Sequence, residues 1–335
     1  MPHNHLTLIA STGDRFCDFA PYVPAVSDDG TVAFQAELTA GGTGVFTGSG
    51  AAVDEAVGPS LVGGVWSHPD RNNAGSISFY GDLQDGGEGV FLLREGRLET
   101  VADTSGRFSS IGPLGPTIND AGMVAFRADR SAEVSGIYTG DGTRVTTVGE
   151  TDGRWSRFHG LPVITRSGAV IFRADRSDNV QGIYAHSERS IRAVAETGDQ
   201  FETLSLFPSA DDHGTVAFAA TFRVGGAGIF TAHDGRTTRI ADTSGAYEAF
   251  RGALIANSGT VLILATPRGG SLGLFTGLDP AEDRILALGD QFLGSTVAEL
   301  AANPVSVNAL GQVAIRAALT DGRQLILRAD YADRP

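Results

Sequence analysis

No lysine occurs among the 335 residues; all 25 basic side chains are arginine. This excludes a Schiff-base or pyridoxal-anchoring amine and the lysine of a phosphate-binding P-loop. One cysteine, Cys17, cannot form an internal disulfide, nor the multi-thiolate sets that hold structural zinc or iron–sulfur clusters. There is no basic run, and the formal charge is −14, so the phosphate neutralisation on which nucleic-acid affinity depends is missing. No window reaches the roughly 18 uninterrupted apolar residues of a membrane span. The opening MPHNHLTLIASTGDRF has no basic segment followed by a long apolar one, and the closing LILRADYADRP carries no lipidation signal. The expectation is a soluble, cytoplasmic protein without nucleic-acid or membrane partners. No stretch sustains a 3.6-residue apolar stripe over several turns, which excludes helical and α/β solenoids.

What is present is a repeat. A turn–Gly–x–apolar phrase occurs seven times, as SDDGTVAF, NNAGSISF, NDAGMVAF, TRSGAVIF, DDHGTVAF, ANSGTVLI and NALGQVAI. Its glycines are Gly30, Gly75, Gly122, Gly168, Gly214, Gly259 and Gly311. A second phrase follows six of them (GTGVF, GEGVF, VSGIY, VQGIY, GAGIF, SLGLF), and a third separates units (STGDRF, DTSGRF, ETDGRW, ETGDQF, DTSGAY). Each unit reads as four short strands. In the first they are Phe19 to Val26, Thr31 to Leu38, Gly44 to Gly48 and Ala52 to Val57, with the turn Ser27–Gly30 between the first two. Evenly spaced strands rich in Gly and Val/Ile/Phe predict an all-β, seven-bladed β-propeller of four-stranded antiparallel blades, one domain over residues 1–335. The segment HLTLIA aligns with the fourth strands of other units, and the last unit has no room for its own. The N-terminal strand is therefore expected to complete the last blade and close the ring.

The NxxGxVAF pattern, seen as NDAGMVAF, resembles the tandem NxxGxxAF-repeat proteins of bacteria. That resemblance covers nearly the whole chain and implies the repeat architecture; it implies no catalytic residue.

Candidate chemistry lies where the repeat breaks. The segments just before a recurrent proline (Pro24, Pro69, Pro116, Pro162, Pro208) diverge between units and begin the innermost strands, at the rim opposite the NxxG turns. Tyr22, Trp66 and Trp155 offer aromatic walls for a substrate, and Arg157 and Arg251 can stabilise negative charge. His68 and His159 can move a proton near neutral pH. Blades three and four share FRADRS text, so Asp129, Arg130, Asp175 and Arg176 recur on this rim, as an anion clamp or as inter-blade salt bridges. No cofactor or metal site is read. GGTGVFTG opens a strand rather than a helix, and Asp82, Asp85 and Glu88 do not match a calcium loop.

Two functions follow. One is a propeller that binds a small organic metabolite at the channel mouth and promotes a cofactor-free lyase, cyclase or isomerase step. The other is a non-enzymatic scaffold that binds a protein or a glycan.

Overall fold

The computed structural model describes residues 5–188 and 190–330. Seven antiparallel sheets succeed one another along the chain as the blades of a propeller. Blade 1 consists of an inner strand in two pieces, Phe16–Asp18 and Ala25–Val26, then Val32–Leu38, Thr43–Gly48 and Val53–Val57. The sequence predicts an unbroken first strand there. Pro21 and Pro24 intervene, and a proline has no N–H to give to the ladder, so pairing lapses between the pieces. Blades 2, 3 and 5 break likewise, whereas blade 4 keeps a ten-residue inner strand, Trp155–Ile164.

The last blade runs Ser295–Ala301, Val313–Leu319, Gln324–Asp330, and its outer strand is His5–Ser11, paired antiparallel from His5 opposite Asp330 to Ser11 opposite Leu325. The ring closes by pairing His5–Ser11 with Gln324–Asp330, which completes the last blade at the seam. No helix among the described residues is long and apolar enough to cross a membrane.

The repeated phrases each have a physical task. The seven turn glycines hold φ between +76° and +86°, a region costly for any side chain. The first residue of the turn, where it is asparagine, works in two directions. Asn119 Oδ1 accepts the Met123 N–H inside its own turn, while its Nδ2 donates to the Thr165 carbonyl of the next blade. Asn72 does the same with Ser76 and Asn119. The phenylalanine of VAF and the aromatic of GVF or GIY stand opposite each other in register, with ring centroids 5.3–5.9 Å apart in five blades. The aromatic that ends the third phrase joins this core: Phe16, Phe108, Trp155 and Phe201 pack onto such a pair, Tyr247 packs onto Phe275, and all five are buried.

Candidate functional site

The inner strand of blade 4 sets His159 opposite Arg173 and Arg157 opposite Asp175 on the FRAD strand. Asp175 Oδ2 lies 2.7 Å from His159 Nε2. Behind it Arg173, 3% exposed, donates to Asp175 Oδ1 at 3.2 Å, to Gln181 Oε1 at 2.8 Å and to the Leu204 carbonyl at 3.3 Å. A buried guanidinium thus orients a carboxylate, and the carboxylate orients an imidazole. Burial lowers the His159 pKa; Asp175 opposes this, and the positive charges of Arg173 and Arg157 add to the lowering. The ring is therefore neutral at pH 7, its Nε2–H donating to Asp175. Nδ1 then carries the free lone pair, and it has no hydrogen-bond partner among the described residues. Such an arrangement can take a proton from a bound molecule.

Blades 2 and 3 vary the same theme. Asp82, Asp129 and Asp175 occupy one position of the repeat. In blade 2 the partner is the Trp66 indole, whose Nε1–H donates to Asp82 at 2.8 Å. In blade 3 the Ser110 hydroxyl donates to Asp129 Oδ2 at 3.1 Å, and Asp129 Oδ1 is buried without a partner. The Trp66 ring lies over Gly112, where a Cβ would approach it to 3.1 Å. Arg130 and Arg176 pair within their own blades, with Glu150 and with Glu196 and Asp178.

The other sequence candidates separate. Trp155 is 3% exposed and packs on Phe172 and Tyr184, with Arg154 over its face; it is the core aromatic of its repeat unit. His68 is buried, and its Nε2 is 3.2 Å from Asn303 Nδ2. His68 belongs to blade 2 and Asn303 to blade 7, so this contact passes over blade 1, which lies between them in the ring. Burial pushes the His68 pKa down to about 4, and the neutral Nε2 accepts from Asn303. Tyr22 is half-buried, its ring centroid 6.5 Å from that of His68, and burial raises its hydroxyl pKa. The structure thus joins Tyr22 with His68 and His159 with Asp175, and each histidine has a different partner. Arg157 and Arg251 are exposed.

Sequence reasoning passed over the opposite mouth. The second residues of the seven NxxG turns, Asp28, Asn73, Asp120, Arg166, Asp212, Asn257 and Ala309, form a ring there. Each of five links joins one blade's amide N–H to the next blade's side-chain oxygen, as from Asp28 to Asn73 at 2.8 Å and from Asn73 to Asp120 at 2.9 Å. The Arg166 guanidinium spans the opening, 3.0 Å from Asp120, 3.5 Å from Asp212 and 3.9 Å from Asp28. Beneath it lies a cavity of about 140 Å³ lined by Val26, Ile118, Ile164, Ile255 and the carboxyl of Asp70. Burial, with the Asp120 charge nearby, outweighs two backbone N–H donors and pushes the Asp70 pKa up to about 7. The signal was in the text: Asp or Asn fills the second place of the phrase in five of the seven units. Among the described residues no three His, Cys, Asp or Glu side chains come together as metal ligands would.

Seven antiparallel sheets around a channel with polar groups at both mouths define a seven-bladed β-propeller. The chain belongs to a family of unknown function, DUF7453, which matches residues 5–327. No curated protein matches it. Among solved structures it is similar to an oligogalacturonate lyase in complex with manganese, at 9% identity, with 99% of each chain covered and a TM-score of 0.60. It is also similar to the oligogalacturonate lyase of Vibrio parahaemolyticus, at 9% identity, covering 98% of this chain and 99% of that one, with a TM-score of 0.55. TolB from Acinetobacter baumannii matches at 12% identity and a TM-score of 0.45; 90% of this chain is covered but only 60% of TolB. At these identities the likeness is one of fold.

Proposed function

We propose that the protein binds a small organic molecule at the rim where the inner strands begin, and that His159 moves a proton on it in a lyase, cyclase or isomerase step. The observation that carries this reading is the chain Arg173–Asp175–His159, because a buried cation spent on orienting a base is otherwise a costly way to hold a blade together. Arg157, opposite Asp175 in register and exposed, is placed to attract an anionic group beside the base. Arg251 is a second exposed cation on the inner strand of blade 6. Tyr22, Trp66 and His68 would shape the pocket, and Trp155 would support it from within the core.

Native mass spectrometry of the whole chain, mixed with small-molecule extracts, tests binding. A discrete low-mass adduct is expected, and turnover of that molecule should be lost in His159→Ala and strongly reduced in Asp175→Asn. Unchanged turnover in both variants would refute the proton-transfer role. One observation favours the scaffold reading instead: Trp155, one of the two tryptophans, is in the core and not free to stack on a ligand. A reproducible protein or glycan adduct, with no small-molecule adduct, would establish that reading.

A further inference from the structure

The second strands of blades 4 and 7 share one register. In blade 4, Phe172 is opposite Tyr184 and Arg173 opposite Ile183; in blade 7, Ile315 is opposite Leu327 and Arg316 opposite Ile326. On the inner side Arg173 faces His159 and Arg316 faces Ala301. The two arginines therefore occupy one position of the repeat, and both are buried, at 3% and 9% exposure. Their surroundings differ sharply. Arg173 is held by Asp175, Gln181 and a carbonyl oxygen.

Arg316 has lost all three kinds of partner. The place of Asp175 is taken by Ala318. Gln324, the counterpart of Gln181, is turned to blade 1, where its Oε1 accepts the Phe19 N–H at 2.9 Å and its Nε2 donates to Asp18 at 2.7 Å. Exposed Glu299 offers Arg316 a loose ion pair at 3.8 Å, beyond hydrogen-bond reach. The Arg316 side chain makes no hydrogen bond to any described residue, and its Nε is sealed from solvent without a partner. A guanidinium cannot escape burial by losing its proton, so a vacancy of this kind is costly unless something fills it.

We infer that Arg316 is the anchor of an anion site in blade 7, completed by the carboxylate of a small organic acid that takes the place Asp175 holds in blade 4. The side chain at 318 is a half-buried methyl group where blade 4 carries a carboxylate. A carboxylate matches the planar fork with two parallel hydrogen bonds. The site lies in blade 7 and stands independently of proton transfer at His159.

The test uses the full chain and follows its thermal midpoint at constant ionic strength in chloride, acetate, succinate or phosphate. Acetate and succinate should raise the wild-type midpoint in a saturable way, beyond chloride. Arg316→Gln should abolish the response. Ala318→Asp supplies the missing carboxylate within the chain; it should raise the midpoint without any added acid and weaken apparent acetate affinity by about tenfold or more. Glu299→Gln should leave the response in place. The Arg316 Nε–H resonance, assigned by its loss in Arg316→Gln, should shift with acetate even if that variant folds poorly. The inference is overturned if no carboxylate moves the wild-type midpoint or that resonance, or if Ala318→Asp responds as the wild type does. It is equally overturned if Glu299→Gln removes the response, since Glu299 would then be the partner. A stronger effect of phosphate than of either carboxylate would overturn the assigned ligand class.

Discussion

Two glycines of blade 4 provide a controlled pair. Gly168, in the NxxG turn, has φ +86° and open space where a Cβ would go. Gly160, next to His159, has φ +59°, and a Cβ there would run into the backbone carbonyl oxygen of Leu206 in blade 5. Gly168→Ala therefore meets only the left-handed conformational penalty, about 1–2 kcal/mol. Gly160→Ala meets that penalty and also an overlap with a backbone atom that cannot rotate away, about 1–3 kcal/mol more. For 335 residues the unfolding entropy is about 0.7 kcal/mol/K, so each kcal/mol moves the midpoint by about 1.4 °C. Calorimetry should show Gly168→Ala lowered by about 2 °C and Gly160→Ala by about 3–7 °C. The overlap pushes the strand away from blade 5 at the residue after the base, so the His159 ring resonances should move in Gly160→Ala and stay in place in Gly168→Ala. Equal losses at the two positions, or undisturbed His159 resonances in both, would refute the packing argument.

Three further outcomes are expected. Asn119→Ala should destabilise by about 2–3 kcal/mol in urea unfolding and Asn119→Asp by about 1 kcal/mol, because aspartate keeps the turn acceptor and loses only the donor to blade 4. Removing residues 5–11 should destabilise the ring far more than an ordinary terminal trim, and a synthetic peptide of those residues should bind back and restore the unfolding midpoint. Asp70 and His68 should pull the pH dependence of stability in opposite directions. The Asp70 pKa, raised to about 7 from 3.8, makes stability fall as pH rises through that window. The His68 pKa, lowered to about 4 from 6.5, makes stability fall as pH drops between those values. Asp70→Asn should thus leave a steeper rise in stability from about pH 4 to 6.5, and His68→Gln should leave a decline toward pH 7, both read from urea midpoints.

The propeller was legible because its glycines, facing phenylalanines and third-phrase aromatics answer to local rules that recur every blade. Trp155 shows how the same text can mislead when read by residue type. An isolated tryptophan suggests a binding wall, yet it closes ETDGRW just as Phe108 closes DTSGRF, and both are core. His159 stood out by its chemistry, but its partner depended on a strand register that the prolines of the inner strands obscure. The meeting of His68 with Asn303 joins residues 235 positions apart in blades that are not neighbours, and nothing local in the chain encodes it. The Arg316 vacancy was readable in principle, by laying VAIRAAL beneath VIFRADR and noticing that alanine stands where aspartate does. It gains meaning only once both arginines are known to be buried.

The pairing of His5–Ser11 with Gln324–Asp330 also sets a timetable for the ribosome. At about 5–20 residues per second, His5–Ser11 waits about 15–60 s for its partner to be made. Through that interval Ile9 and Ala10, buried in the finished ring, have no completed last blade to pack in, while six blades can already assemble behind them. The nascent chain is thus an open arc with an unpaired strand at one end, able to accept a strand from a neighbouring chain in place of its own. Crowded synthesis should produce exchanged, interlocked rings, and slower initiation or a chaperone that shields this segment should suppress them.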